Sequence, residues 1–300
     1  MTTAFVFAGQ GVDPPWIAPD LLARPRARPL LDAASEAAGC DARSLLLRGG
    51  AALARTEVLQ PALVAACLVA ADALAEAGAA PDVVCGHSLG ELAAWAAGGH
   101  VAATDAIAAA GVRGRLMARQ AARHPGGMAV AAGDAGATLE QVLAVGRARG
   151  RLTVAGYNTP TETTLSGDAA ALSAIAALGC RRLPVAGAWH SDAMADAVDE
   201  LGAALAAIVA PRRTGRGVPL VCNRDGRVAG PDELPALLAA QLVRPVLWTA
   251  CTRTLAALGV TRFVAVGPGR LVRALLRANL GAVDVRIVDS MRGVAQAVAP

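Results

Sequence analysis

The chain has 300 residues, 55% of them hydrophobic and 17% charged, with a formal net charge of +4. That suffices for a large buried core, as one big domain or two. All 28 basic residues are arginines, scattered rather than gathered into a basic tract with interleaved aromatics, which argues against nucleic acid as a partner. A mild positive field still suits an acidic protein or an anionic thioester.

The six cysteines (Cys40, Cys67, Cys85, Cys180, Cys222, Cys251) stand singly, mostly inside apolar runs, with no Cys-x-x-Cys among them. They read as free thiols in a reducing compartment. The scattered His and Cys suggest no metal site. The N-terminus lacks a basic region followed by a long apolar core, and apolar runs such as Pro61–Ala71 stop at a charge short of a bilayer span. The expectation is a soluble cytoplasmic protein with no membrane partner.

In chain order, Thr3–Ala8 reads as a buried strand running into the loop Gly9-Gln10-Gly11. In open α/β sheets that carboxyl edge is where ligands bind. Residues 29–38 and 41–47 look helical, and Thr56–Pro61 reads as a cap and turn leading into a long helix through Ala77. Next comes Val83-Val84-Cys85-Gly86-His87-Ser88-Leu89-Gly90-Glu91, followed by the helix former Leu92–Ala97. Strand, Gly-x-Ser-x-Gly turn and helix in that order lift a serine hydroxyl clear of the sheet. The helix behind Ser88 points its first N–H groups at the spot where negative charge would develop on a reacting carbonyl. The bland alternative is a glycine-rich turn that happens to contain serine.

Residues 103–122 form a second long helix carrying Arg113, Arg115 and Arg119. On the residues alone, Arg113 is one of many arginines and reads as a surface or ion-paired side chain. Pro125-Gly126-Gly127 breaks the pattern. Strands at 128–132, 152–157, 163–166 and 182–186, with helices at 138–147 and 169–178, then give the order β-α-β-β-α-β, which predicts a ferredoxin-like small subdomain inserted over 124–189. The flanking segments 1–123 and 190–300 form the larger α/β layer, with helices at 192–208, 231–242, 249–258 and 271–279 and strands at 218–222, 262–266 and 285–288.

A serine nucleophile needs a base. Of the four histidines, His87 adjoins Ser88 on a tight turn and would point elsewhere, while His100 and His124 lie near helix ends and look like surface residues. His190 follows the insert directly, where two subdomains would meet. Such a cleft suits a catalytic base, though a satisfied structural histidine fits the same position.

At this point the chain resembles the malonyl-CoA:acyl-carrier-protein transacylases and the acyltransferase domains of polyketide synthases. The resemblance rests on Gly9-Gln10-Gly11, Gln60-Pro61-Ala62-Leu63, the elbow Gly86–Glu91, Arg113-Gly114-Arg115-Leu116-Met117, Gly187-Ala188-Trp189-His190-Ser191, Gln241-Leu242 with Pro245-Val246 and Trp248, and Gly267-Pro268-Gly269. These segments run the whole length of the chain.

The resemblance implies a hydrolase-like core with a parallel sheet, plus the inserted small subdomain. It implies that Ser88 is acylated and that His190 is its base. Arg113 would grip the free carboxylate of a malonyl group, since a guanidinium offers a flat two-pronged donor. Backbone N–H groups of Gln10 and Leu89 would form the oxyanion hole, and the backbone carbonyl of Gln241 would orient the histidine. Gln60 and Asn158 would lie near the cleft. The implied partners are malonyl-CoA, as a substrate, and an acyl carrier protein bearing phosphopantetheine; no cofactor is implied. Trp189 stands where relatives more often have Phe or Ser, and Leu247 replaces a residue that is often polar. Leu89 and Trp189 would together set selectivity for malonyl over larger groups. The competing expectations are a thioester hydrolase acting on carrier proteins, the malonyl-loading subunit of a malonate decarboxylase, and a non-enzymatic carrier-docking scaffold.

Overall fold

The computed structural model describes residues 1–11, 16–133, 136–209 and 217–299. Its strands are β1 (Thr2–Phe7), β2 (Val83–Gly86), β3 (Gly127–Ala132), β4 (Leu152–Thr159), β5 (Glu162–Gly167), β6 (Arg181–Arg182), β7 (Leu220–Val221), β8 (Val260–Val266) and β9 (Asp284–Val288). They form two sheets: a five-stranded sheet in the order β7-β2-β1-β8-β9 and a four-stranded one in the order β4-β5-β3-β6.

All pairings in the larger sheet are parallel. Its central strand is apolar at every inner position because both of its faces are covered. Phe5 and Phe7 point into one cluster, with Leu63, Val64 and Ile107, while Ala4 and Val6 point into the other, with Leu255, Val272 and Leu276. Alternate residues of a strand face opposite sides, so one six-residue segment seeds both cores.

The first core holds the helices Thr56–Glu76 and Ala103–Arg123. The former is long and apolar enough to cross a membrane, but 83% of its most apolar window is buried inside the fold. Its apolar character runs all round because neighbours pack on every side. The helix begins at Thr56, where the sequence predicts a cap and turn, and carries Pro61 inside it at the cost of one backbone hydrogen bond.

Two helices come close where Gly114 faces Glu57. A Cβ added to Gly114 would lie 2.8 Å from the Glu57 Cα and 2.9 Å from the Thr56 carbonyl oxygen. This approach sets the base of the Arg113 side chain beside Gln60.

The four-stranded sheet is antiparallel throughout, and its own small core gathers Ala129, Val142, Leu165, Leu172 and Ile175. It is stitched to the rest of the molecule at the edge of β4, where Tyr157 donates to the Val246 carbonyl and Val246 donates to the Ala155 carbonyl, both at 2.9 Å.

Two predicted strands are shorter in the structure. The one expected at 182–186 is reduced to Arg181–Arg182, and the one at 218–222 to Leu220–Val221. Pro184 and Pro219 lie in those segments and have no N–H to give to a ladder. The helix expected at 192–208 opens as a tight 3-10 turn, Asp192–Ala197, capped by the Ser191 hydroxyl, before becoming the α-helix Val198–Val209.

Candidate active site

The carboxyl ends of β1 and β2 carry the centre of the site. Ser88 sits between β2 and the helix Gly90–Ala97 with φ at 51°. The turn is so tight that a Cβ on Gly86 would lie 2.0 Å from the Gly90 carbonyl carbon, and one on Gly90 would lie 2.4 Å from the Phe7 carbonyl oxygen. Both positions therefore need glycine because backbone passes there. Gly9 meets the elbow in the same way: its Cβ would lie 2.3 Å from the His87 carbonyl oxygen, which sets the half-buried Gln10 close by.

His190, at the end of the segment leaving the small sheet, places Nε2 2.7 Å from the Ser88 Oγ. Its Nδ1 lies 2.8 Å from the Gln241 carbonyl oxygen and 3.2 Å from that of Arg244. Carbonyl oxygens only accept, so the ring carries its proton on Nδ1 and turns the Nε2 lone pair to the serine. Burial, followed by the positive charge of Arg113, lowers the His190 pKa to about 3, so the ring is neutral at physiological pH.

Arg113 is buried, at 3% exposure, yet among the described residues no carboxylate hydrogen-bonds to it; the buried Glu91 acts on it through its charge alone. Its Nη1 donates to Gln60 Oε1 and its Nη2 to Gln241 Oε1, each at 2.9 Å, and Nη2 also lies 3.4 Å from the Ser88 Oγ. Gln60 is kept in place by donating from Nε2 to Thr56 Oγ1 at 2.8 Å and to the Met117 sulfur. Burial lowers the guanidinium pKa to about 10, which leaves it cationic near neutrality. Amide oxygens orient this cation without pairing with its charge, and Glu91 acts on it only from a distance, so an anionic ligand beside the serine can still pair with it directly.

Beneath the elbow lies Glu91, fully buried. One carboxylate oxygen accepts from the Asn223 backbone N–H at 2.6 Å, and the other accepts from Gln241 Nε2, which also donates to the Ser88 carbonyl at 3.0 Å. Asn223 in turn accepts the Ser88 N–H on Oδ1 and donates from Nδ2 to the Gly86 carbonyl, both at 2.6 Å. Burial raises the Glu91 pKa to about 7 against the pull of these hydrogen bonds. Neither Glu91 nor Asn223 was singled out from the sequence. Glu91 is read there only as part of the elbow, and Asn223 lies one residue past the expected strand at 218–222; its position next to β2 was the available signal.

His87 turns away from the serine, as its place on the turn implies. Its Nε2 meets Asn158 Oδ1 at 3.0 Å, and its ring stands edge-on to Trp248 at 5.2 Å. Asn158 is anchored by donating to Thr164 Oγ1 and Glu162 Oε1. His100 is not a free surface residue: its Nε2 is 2.9 Å from the Val218 carbonyl.

Leu89 is buried and caps the elbow helix. The next three N–H groups, of Gly90, Glu91 and Leu92, go to the carbonyls of His87, Ser88 and Leu89. Trp189 is buried too. Its ring covers Gly187 so closely that a Cβ there would lie 2.4 Å from it, and it joins the apolar cluster that includes Met128 and Ala155. Its carbonyl accepts from the Ser166 hydroxyl, while its indole N–H has no partner among the described residues.

A parallel sheet bearing a serine at a strand-to-helix elbow, with a histidine on its hydroxyl and a cation alongside, defines an α/β protein of the acyl-transfer class. The chain belongs to the acyl transferase domain family, whose model matches residues 4–284. It is 37% identical over 299 residues to the malonyl CoA-acyl carrier protein transacylase of Mycobacterium tuberculosis, with 96% of each chain covered. Among solved structures it is similar to MCAT from the same species, at a TM-score of 0.88 and 32% identity over the full length of both chains. It is also similar to a malonyl-transacylase solved in complex with its type II polyketide acyl-carrier protein, at a TM-score of 0.88 and 27% identity, with 99% of each chain covered.

Proposed function

We propose that this chain is an acyl-carrier-protein S-malonyltransferase. It moves malonyl from malonyl-CoA to the phosphopantetheine thiol of an acyl carrier protein through an ester on Ser88. The Ser88 Oγ attacks the thioester carbonyl while its proton passes to His190 Nε2, and the Gln241 carbonyl stabilises the imidazolium through Nδ1. Backbone N–H groups of Gln10 and Leu89 receive the oxyanion. Collapse breaks the C–S bond, and the departing coenzyme A sulfur takes the proton from His190. The carrier thiol then gives its proton to His190, attacks the ester and restores Ser88. The reading needs no metal and no cofactor.

One observation carries this reading: a buried arginine that donates to two amide oxygens and, at 3.4 Å, to the nucleophile itself, with no carboxylate hydrogen-bonded to it among the described residues. A malonyl carboxylate fits that cation, whereas a thioester hydrolase has no use for it. Carboxylate binding would also offset the charge that lowers the proton affinity of His190, so the proper substrate strengthens its own base. Gln60 acts in the cleft by orienting Arg113, and Asn158 by orienting His87. Leu89 and Trp189 flank the carbon between carboxylate and thioester and favour malonyl over α-substituted groups.

We read 124–189 as an inserted ferredoxin-like subdomain and 1–123 with 190–300 as the hydrolase-like subdomain, with the antiparallel order β4-β5-β3-β6 in support. We place the protein in the cytoplasm, with its six free cysteines in support. Incubation with malonyl-CoA, read by intact mass, should add one malonyl group that Ser88→Ala abolishes, and a holo carrier protein should then remove it. Acylation mapped to a cysteine would refute the mechanism.

A further inference from the structure

The chemistry proposed above uses Ser88, His190 and Arg113, and leaves the buried Glu91 without a task. Glu91 nevertheless touches both halves of the site. Through Asn223 it reaches the Ser88 backbone, and through Gln241 it reaches Arg113. The second connection depends on which way the Gln241 amide faces. Its nitrogen donates to the Ser88 carbonyl and to Glu91, and its oxygen accepts from Arg113. An ionised carboxylate only accepts, so it draws the NH2 group of Gln241 to itself and leaves the oxygen for the guanidinium.

We infer that Glu91 is a positioning residue for substrate choice: its acceptor-only carboxylate fixes the amide orientation of Gln241 and thereby keeps Arg113 aimed at the acyl carboxylate beside Ser88. The inference rests on the malonyltransferase reading above. An isosteric amide exposes the dependence. In Glu91→Gln the side chain has one oxygen for two donors. The Asn223 backbone N–H cannot turn round, so it claims that oxygen. The new NH2 group then faces the NH2 of Gln241, and the flip that relieves this clash gives up the Ser88 carbonyl and presents the Gln241 NH2 to Arg113. Two donors cannot share that contact, and the guanidinium loses its support on one side.

The test is a competition at pH 8, above the range in which the buried carboxyl takes up its proton. Malonyl-CoA is mixed with an excess of acetyl-CoA, and the acyl group on Ser88 is read by intact mass. The ratio of the two adducts does not depend on how much protein is folded, and general damage to the elbow slows both substrates alike. Loss of a charge-assisted hydrogen bond corresponds to about tenfold or more, so the malonyl-to-acetyl ratio of Glu91→Gln should fall at least about tenfold below wild type. A ratio within about twofold of wild type overturns the inference, because the discrimination it assigns to that hydrogen bond would be missing. If Glu91→Gln gives no soluble protein, the same competition on Gln241→Leu decides the matter. That variant removes the amide and keeps the carbonyl on His190, and an unchanged ratio there is equally fatal. Wild-type protein that takes no malonyl on Ser88 would instead sink the underlying malonyltransferase reading. Wild type with a malonyl preference that Glu91→Gln retains sinks only the role of Glu91.

Discussion

Ser88 and His190, joined by a 2.7 Å contact between Oγ and Nε2, are also the two non-glycine residues held at positive φ among the described residues, at 51° and 57°. Such conformations cost roughly 1–3 kcal/mol each and persist only where surrounding bonds over-determine them. Here those bonds are visible. Asn223 grips the Ser88 N–H, and the carbonyls of Gln241 and Arg244 grip His190. Strain therefore collects on the two residues whose side chains must meet, and the buried polar network beneath them holds it.

The Arg113 clamp should separate substrates by charge. Arg113→Ala is expected to lower kcat/KM for malonyl-CoA about tenfold to a hundredfold more than for acetyl-CoA, since a hydrogen bond to a charged group is worth roughly 1.5–3 kcal/mol. Initial-rate measurements on the two thioesters check this. Equal losses on both would make Arg113 a structural residue.

The close helix crossing at Gly114 should be intolerant of even a methyl group. Gly114→Ala presses a Cβ against the Glu57 backbone, and neither backbone can yield as a flexible side chain would. Overpacking of this kind costs about 1–3 kcal/mol. Urea denaturation should show that loss, along with weaker malonyl binding as Arg113 is pushed away from Gln60. An unchanged midpoint would mean that the helices separate freely.

Stability should depend on pH through opposed buried groups. The folded His190 has a pKa of about 3 against an ordinary 6.5. Its contribution is present above 6.5 and is lost as pH falls toward 3, because the unfolded chain binds a proton that the folded one refuses. His87, also shifted down by burial, adds to this. Glu91 works the other way. Its pKa is raised from 4.5 to about 7, so its contribution is full below 4.5 and is lost as pH rises through 7. The two trends partly cancel between 6.5 and 4.5, and below that the histidine loss is unopposed. Asp72 and Asp168, which their arginine partners hold below the usual carboxylate value against the upward pull of burial, add to it at still lower pH. Calorimetric Tm should therefore decline gently to pH 4.5 and steeply beneath it, and Glu91→Gln should bring the steep decline up to about pH 6.5. A wild-type Tm that rises on acidification to pH 4 contradicts this assignment.

Trp189 should bear on the choice between malonyl and methylmalonyl thioesters. One methyl in an apolar pocket is worth roughly 1–3 kcal/mol, so malonyl-CoA should acylate Ser88 at least about tenfold more efficiently. Trp189→Ser should narrow the gap by speeding methylmalonyl transfer rather than by slowing malonyl. Competition between the two thioesters, read by mass, tests both parts. A wild-type protein indifferent to the methyl would show that the indole over Gly187 serves packing alone.

Much of this protein is written in local patterns. Alternating and continuous apolar runs foretell β1 and the long helices, and the glycines around Ser88 foretell an elbow, because strand period, helix period and tight-turn sterics act between near neighbours. Prolines mark where that reading overreached: Pro184 and Pro219 shortened two strands through a missing N–H, and Pro61 was carried inside a helix that tertiary packing holds together. Apart from the family resemblance of Arg113–Met117, nothing in the chemistry of its neighbours tells Arg113 from the other arginines. Its role depends on Gln60 and Gln241, which are 53 and 128 positions away in the chain. Glu91 was visible only as an elbow residue and Asn223 only as the residue after a short strand, since what they do is accept and donate hydrogen bonds across 132 positions. Directional bonds between buried polar groups are satisfied only once distant segments meet, so the fold alone could choose which cation, amide and carboxylate stand around the serine.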